Sequence, residues 1–326
     1  MKSQGDNITG TSPIDFSKPL DTSVVKGKTA LVQDGAAGLG SGIAKALAEN
    51  GARVAICDKR AKEGEAFAKD LNGKGYDVKY IEAETGDWAS SLAGFKQALE
   101  WSEDQLDIVV LSPGIVTNNL LLSILPKHRG PDEDPAEPPT NVIQIDLVGV
   151  YYGTSLALFY FNKLYAKRKD PEFEPQIVFI CSMAGYDGLD FGTDYAAAKH
   201  GLRAIFKTTR RPRPGMAQYQ ANLLAPTYVK KNKISKDEEK LKNHANEVNE
   251  ISDVVAGAMR CICDDEVSGR AVACVQGSTG TPGHLNFDMC DDIVDHNGGR
   301  ELHNNVDNIW LPSGTKLSED SNCGVQ

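Results

Sequence analysis

The chain is short of positive charge, of histidine, of paired cysteines and of long apolar runs. Its formal net charge is -10, which argues against a nucleic acid or an anionic membrane surface as partner. No apolar run reaches membrane-spanning length, and the opening Met1-Lys2-Ser3-Gln4-Gly5-Asp6 is polar. Neither a membrane span nor a signal peptide is therefore expected. The histidines lie apart; only His284 and His296 stand near acids, at Asp288, Asp291, Asp292 and Asp295. That run reads as a solvated acidic tail, and no metal is expected. The cysteines are odd in number and scattered, and Cys261-Ile262-Cys263 lacks a second pair. They read as reduced, mostly buried thiols, which sets a cytoplasmic compartment as the expectation. There is no internal repeat.

What is present is alternation. At 326 residues the chain fits one α/β domain of about 250 residues with extensions. Residues 1–25 are polar and read as an extended or loosely packed arm. Lys28 to Val32 reads as a buried strand, followed by Gln33-Asp34-Gly35-Ala36-Ala37-Gly38-Leu39-Gly40, a helix from Ser41 to Asn50, and a second strand from Arg53 to Asp58. This order places a pyrophosphate on a helix N-terminus and an acid on the ribose hydroxyls. Helix and strand patterns then alternate: Ala61–Leu71, Asp77–Ile81, a helix capped by Asp87, and Leu106–Leu111. Pro126 to Pro139 reads as a surface excursion. A long apolar helix follows from about Asn141 to Tyr165, then the strand Gln176–Ile180, the helix Tyr195–Thr209 and the strand Asn222–Ala225. Ile251–Cys263 and Ala271–Val275 close the pattern, with residues 281–326 as a tail. The alternation predicts a Rossmann-type, doubly wound parallel sheet with helices on both faces.

Tyr195-Ala196-Ala197-Ala198-Lys199, with Ser182 upstream in Ile180-Cys181-Ser182-Met183-Ala184-Gly185, carries the chemistry. Residues four apart share a helix face. An ammonium beside a phenol favours the phenolate, so such a Tyr can give or take a proton at a carbinol or carbonyl oxygen held by a Ser hydroxyl. A packed Tyr and a solvated Lys would give the same short pattern, so the motif's weight comes from the loop and strands around it.

These motifs, in this order, make residues 26–280 resemble the short-chain dehydrogenase/reductase family. Its glycine motif falls on Gln33 to Gly40, its acidic strand end on Asp58, and its adenine-contacting acid on Glu84. Its N-N-A-G falls on Leu111-Ser112-Pro113-Gly114, its fourth-helix Asn on Asp146, and its catalytic Ser, Tyr and Lys on Ser182, Tyr195 and Lys199. Its later P-G-x-V-x-T falls on Pro226 to Lys231. The phrasing Asn222-Leu223-Leu224-Ala225-Pro226-Thr227 is similar to fungal members acting in secondary metabolism. The resemblance implies a cofactor site at Asp34, Gly35, Gly38, Leu39, Gly40, Asp58, Glu84, Gly114, Lys199 and Val229, with Asp146 joining the catalytic group. It implies a mobile lid at about 227–250 and a homodimer or homotetramer built on the two long helices. Four departures stand against it: Asp34 for the first glycine, Ser112-Pro113 for the asparagines, Asp146 for Asn, and Lys231 for Thr. Together they point to weakened or absent dinucleotide binding.

Two enzyme readings follow. One is an oxidoreductase in which Tyr195 is the acid/base, Lys199 supports it and Ser182 orients the oxygen. Asp58 favours NAD, because a carboxylate bonds a 2′-hydroxyl and repels a 2′-phosphate, while Lys59 and Arg60 leave NADP open. Tyr186, Leu189 and Phe191 should face a bulky apolar or aromatic secondary alcohol or ketone. The other is a redox-neutral cyclase, isomerase or dehydratase, which the departures favour. A non-catalytic binding protein is the third reading, and the complete Ser-Tyr-Lys set argues against it.

Overall fold

The computed structural model describes residues 13–116, 134, 137–168, 170, 172–188, 192–210, 216–230, 248–275, 282–283 and 285–289. Short runs with apolar centres become the strands β1 (Thr29–Gln33), β2 (Arg53–Asp58), β3 (Val78–Glu82), β4 (Ile108–Leu111), β5 (Gln176–Ile180) and β6 (Gln220–Pro226). A two-stranded parallel piece pairs β7 (Tyr228–Val229) with β8 (Val248–Asn249), and β9 (Ala271–Cys274) and β10 (Phe287–Asp288) end the series. The main sheet runs β10-β9-β6-β5-β4-β1-β2-β3. Every pairing in it is parallel except β10 with β9. β1, β4, β5, β6 and β9 are buried along their whole length. That is why they read as continuous apolar runs rather than alternating ones.

Among the described residues, six helices cover the two faces: α1 (Gly38–Glu49), α2 (Ala61–Gly73), α3 (Trp88–Trp101), α4 (Asn141–Arg168), α5 (Thr193–Thr209) and α6 (Ile251–Cys263). One core lies between the sheet and α3, α4 and α5, built around Phe95, Phe161, Phe179 and Phe206. The other lies under α1, α2 and α6, built around Ile43, Leu47, Leu71 and Val254. The fold is a single-domain, Rossmann-like, mostly parallel sheet.

α4 is 28 residues long and apolar enough, by length and composition, to cross a bilayer. The sequence reading expected no such run. Its inward residues Val150, Leu156, Ala157, Phe161 and Leu164 are buried in the core, the packing of a core helix. Its second turn, Gln144–Gly149, is π-helical and carries Asp146.

Residues 13–25 pack on the body: Ile14, Phe16 and Leu20 lie on the second core, and Val25 is fully buried. Residues 231–247, the middle of the expected lid, and most of the expected excursion and tail lie outside the described residues.

Candidate active site

The strand order reverses between β1 and β4, so a crevice opens at the carboxyl ends of those two strands. The glycine loop lies there because β1 must turn directly into α1. Asp34 takes φ 55°, a left-handed conformation that glycine adopts more easily. Its N–H donates to the Cys57 carbonyl at 2.8 Å. A Cβ on Gly40 would stand 2.4 Å from the Asp34 carbonyl oxygen, so only glycine lets α1 start this close to the loop. Ala37 caps α1 without a side-chain hydrogen bond. The first-turn N–H groups of Gly38, Leu39 and Gly40 therefore have no capping side chain, the arrangement that receives an anion. A Cβ on Gly38 would meet nothing within 4 Å, and one on Gly114 would meet only the Lys199 Nζ at 4.0 Å. This uncapped helix start, with open space at both glycines, fits a dinucleotide.

The Asp34 carboxylate turns away from that helix start. Its Oδ2 accepts from Thr85 Oγ1 at 2.7 Å. Burial, with Asp58 and Asp146 nearby, pushes its acid up to about 6 against the help of Thr85. Asp58 is fully buried with both oxygens spent. Oδ1 accepts from the Arg60 backbone N–H and Nε, both at 2.9 Å. Oδ2 accepts from Arg60 Nη2 at 2.6 Å and from the Ala36 N–H at 3.0 Å. Burial works against the charge, but these bonds hold Asp58 below the usual carboxylate range. Asp58 was expected to bond the ribose; here its four acceptor sites are taken and Arg60 neutralises it. Glu84 pairs with Lys59 at 3.1 Å on the surface.

The candidate proton-transfer group is assembled from three elements. Ser182 lies two residues past the end of β5 and caps a short turn, Met183–Gly185, its Oγ accepting from the Ala184 N–H at 3.1 Å. A Cβ on Gly185 would meet Cys181 Sγ at 2.7 Å and the Lys199 carbonyl at 2.9 Å, so this turn sits directly on α5. α5 carries the half-buried Tyr195 and the buried Lys199. The Lys199 Nζ lies 5.3 Å from the Tyr195 ring centre. It donates to the Pro113 carbonyl at 2.8 Å and, more weakly, to the Ile180 carbonyl at 3.4 Å. Asp146 Oδ2 is 3.5 Å from that ammonium, and its Oδ1 accepts from the Ile115 N–H at 3.0 Å. Burial works against the Lys199 charge and would lower its pKa, yet Tyr195 and Asp146 outweigh it and hold the ammonium above its ordinary value. Burial raises Asp146, with Lys199 opposing.

Gly35 is buried against Val32 and Ile56 at the start of the loop. Val229 is half-buried in β7 against the second core. Tyr186 is half-buried, its ring under the Arg203 guanidinium at 4.0 Å. Leu189, Phe191 and Lys231 lie outside the described residues. Thr85 and the Pro113 carbonyl were not anticipated. A Thr past a strand end has no motif, and a backbone carbonyl leaves no trace in residue identity.

A doubly wound sheet with an uncapped, glycine-rich helix start beside a Tyr-Lys pair is the framework of a dinucleotide-fold enzyme. Residues 28–243 match the family model described as short chain dehydrogenase, and the chain belongs to that family. It is 42% identical to the "NADP-dependent dehydrogenase M3" of Phoma sp., over 92% of this chain and 89% of the relative. It is 30% identical to the "5'-hydroxyaverantin dehydrogenase" of Dothistroma septosporum, over 87% and 93%. In fold it is similar to a putative short-chain alcohol dehydrogenase from Sinorhizobium meliloti 1021, with TM-score 0.63 and 19% identity over 80% of this chain and 97% of that one.

Proposed function

We propose that this oxidoreductase uses NADP in preference to NAD and acts on a bulky, largely apolar secondary alcohol or its ketone in natural-product assembly. The observation that carries the reading is the buried Lys199 ammonium set 5.3 Å from the Tyr195 ring, with the open Gly114 beside it. Tyr195 gives or takes the proton at the substrate oxygen. The Ser182 oxygen is already accepting from Ala184, so its O–H is free to donate to that same oxygen. Lys199 supplies positive charge beside the phenol, held there by the Pro113 carbonyl and Asp146. A bound nicotinamide supplies or accepts the hydride at the substrate carbon. The half-buried Tyr186 next to the Ser182 turn supports a bulky, apolar substrate, as do Leu189 and Phe191 in the sequence between Ser182 and Tyr195.

The preference for NADP replaces the sequence-based expectation of NAD. The Asp58 oxygens are saturated and its charge is balanced, whereas the Arg60 side chain remains 42% exposed with N–H donors to spare. The Phoma relative's name points the same way. Arg60→Ala should weaken NADP binding by about 10-fold, the size of one lost charge-assisted contact, and leave NAD nearly unchanged. Nicotinamide fluorescence titration with both reduced cofactors tests this. Equal loss for both cofactors, or none, would refute the assignment of Arg60.

The redox-neutral reading rested on the changes at Asp34, Ser112-Pro113 and Lys231, with Asp34 its main support. The Asp34 carboxylate is bonded to Thr85, which removes that main support. The outer face of α4 exposes Tyr151, Phe159 and Tyr165, which supports pairing with a second copy of the chain.

A further inference from the structure

The carboxylate of Asp34 has no role in the proton transfer just described, yet it sits in the loop where the cofactor's charge must arrive. Its backbone touches the first turn of α1: the Asp34 carbonyl lies against Gly40, whose N–H belongs to the uncapped helix start. The side chain occupies a half-buried niche behind that turn. The groups facing it are the Thr85 hydroxyl after β3, Cys57 and Asp58 at the end of β2, Arg60 at the entry to α2, and Asp146 on α4. Arg60 is already paired with Asp58 through two hydrogen bonds, and Lys199 stands 3.5 Å from Asp146, so the two nearest cations lie on the two neighbouring acids and the Asp34 carboxylate is left with the Thr85 hydroxyl. Any anion seated on the start of α1 adds a further negative charge to this group.

We propose that Asp34 is a proton-binding site coupled to the dinucleotide: seating the pyrophosphate draws one proton from solvent onto the Asp34 carboxylate, so that affinity falls as pH rises. This rests on the dinucleotide reading above and adds its linkage to protons. The balance is simple. The free protein carries the carboxylate ionised at neutral pH and the bound protein carries it as the acid, the proton coming from water or buffer. The free-state acid near 6 places the change in an accessible range. At an effective dielectric near ~20, a unit negative charge about 7 Å away raises a carboxylic acid by more than one pH unit, and the contact of the Asp34 carbonyl with Gly40 puts this residue directly behind the helix start. The protonated acid remains a hydrogen-bonding partner for Thr85, with donor and acceptor roles exchanged.

Calorimetric titration with NAD tests this, because its diphosphate is a diester and carries no phosphate monoester titrating near ~6. Binding is measured from pH 5.5 to 8 in buffers of different ionisation enthalpy. The wild-type protein should take up a fraction of a proton near neutral pH, and its affinity should fall on the order of 10-fold across the range. Asp34→Asn keeps the shape and the left-handed backbone, and Asp34→Gly restores the residue most at ease there. Both variants should take up no proton and show a flat profile, with affinity at pH 8 above wild type. Wild-type binding that is flat with pH and independent of buffer overturns the coupling alone. So does a pH dependence that persists unchanged in both variants. Absence of NAD and NADP binding at every pH overturns the dinucleotide reading and the coupling with it.

Discussion

At the residue scale, the chain's chemistry is visible in residue types, while the partners that tune it come from far away in sequence. Ser182, Tyr195 and Lys199 are readable from spacing because one helix face and one strand end suffice to place them. The Asp34–Thr85 bond spans 51 positions, and the Asp58–Arg60 pair inverts what an acid at a strand end suggests. No local pattern encodes the first; the second is local, with Arg60 two positions after Asp58, but residue identity does not show that its guanidinium turns back onto the acid. Asp34 also makes stability depend on pH. Its acid is raised from 3.8 to about 6 in the folded protein, so the fold favours the protonated form. Its contribution is fully present below about pH 4 and is lost as pH climbs through about 6. Relative to Asp34→Asn, the wild type should lose on the order of 1–3 kcal/mol between pH 4 and 7. Denaturation midpoints of the two proteins at several pH values check this. A difference that grows toward low pH would contradict it.

At the scale of elements, the alternation of strand and helix and the strand–loop–helix–strand opening were legible, because buried parallel strands and amphipathic helices have distinct periods. The π-helical turn of α4 was not. It depends on Gly149 lying against Thr85, where a Cβ would stand 2.8 Å from a carbonyl oxygen, and on Gln144 Nε2 donating to the Gly86 carbonyl. The loop before α1 makes a sharper claim. A methyl on Gly40 cannot be absorbed by a side-chain movement, since the atom it meets at 2.4 Å is the Asp34 backbone carbonyl. Gly40→Ala should therefore push α1 off the loop. A fall in dinucleotide affinity of at least ~10-fold is expected, with a stability loss of about 1–3 kcal/mol as in other overpacked sites. Calorimetry and thermal unfolding read the two effects. Unchanged affinity would show that the start of α1 is not the anion site.

At the scale of the whole molecule, both ends of the described chain are fastened at one sheet edge. The side chain of Arg270 at the entry to β9 forms a buried pair with Asp288 of β10, Nε to Oδ2 at 2.8 Å, and Asp288 also receives the Ile14 N–H at 3.1 Å. Removing one member strands a buried charge, so Asp288→Ala should cost about 3–5 kcal/mol. A denaturant midpoint within error of wild type would contradict that. β9 was legible as the closing strand at Ala271–Val275, but its fastening was not, since an Arg and an Asp 18 positions apart give no signal until the sheet brings them together. The central claim is that the crevice at the β1/β4 reversal runs hydride chemistry with Tyr195 as proton donor or acceptor. It is tested most directly by product mass and nicotinamide absorbance, followed together on protein stripped of nucleotide and then resupplied with NADP or NADPH. The account predicts no turnover without the nucleotide, a product differing from substrate by two hydrogens in step with the absorbance change, and at least ~100-fold loss in Tyr195→Phe. An isomeric or dehydrated product formed at full rate by the stripped protein would contradict it.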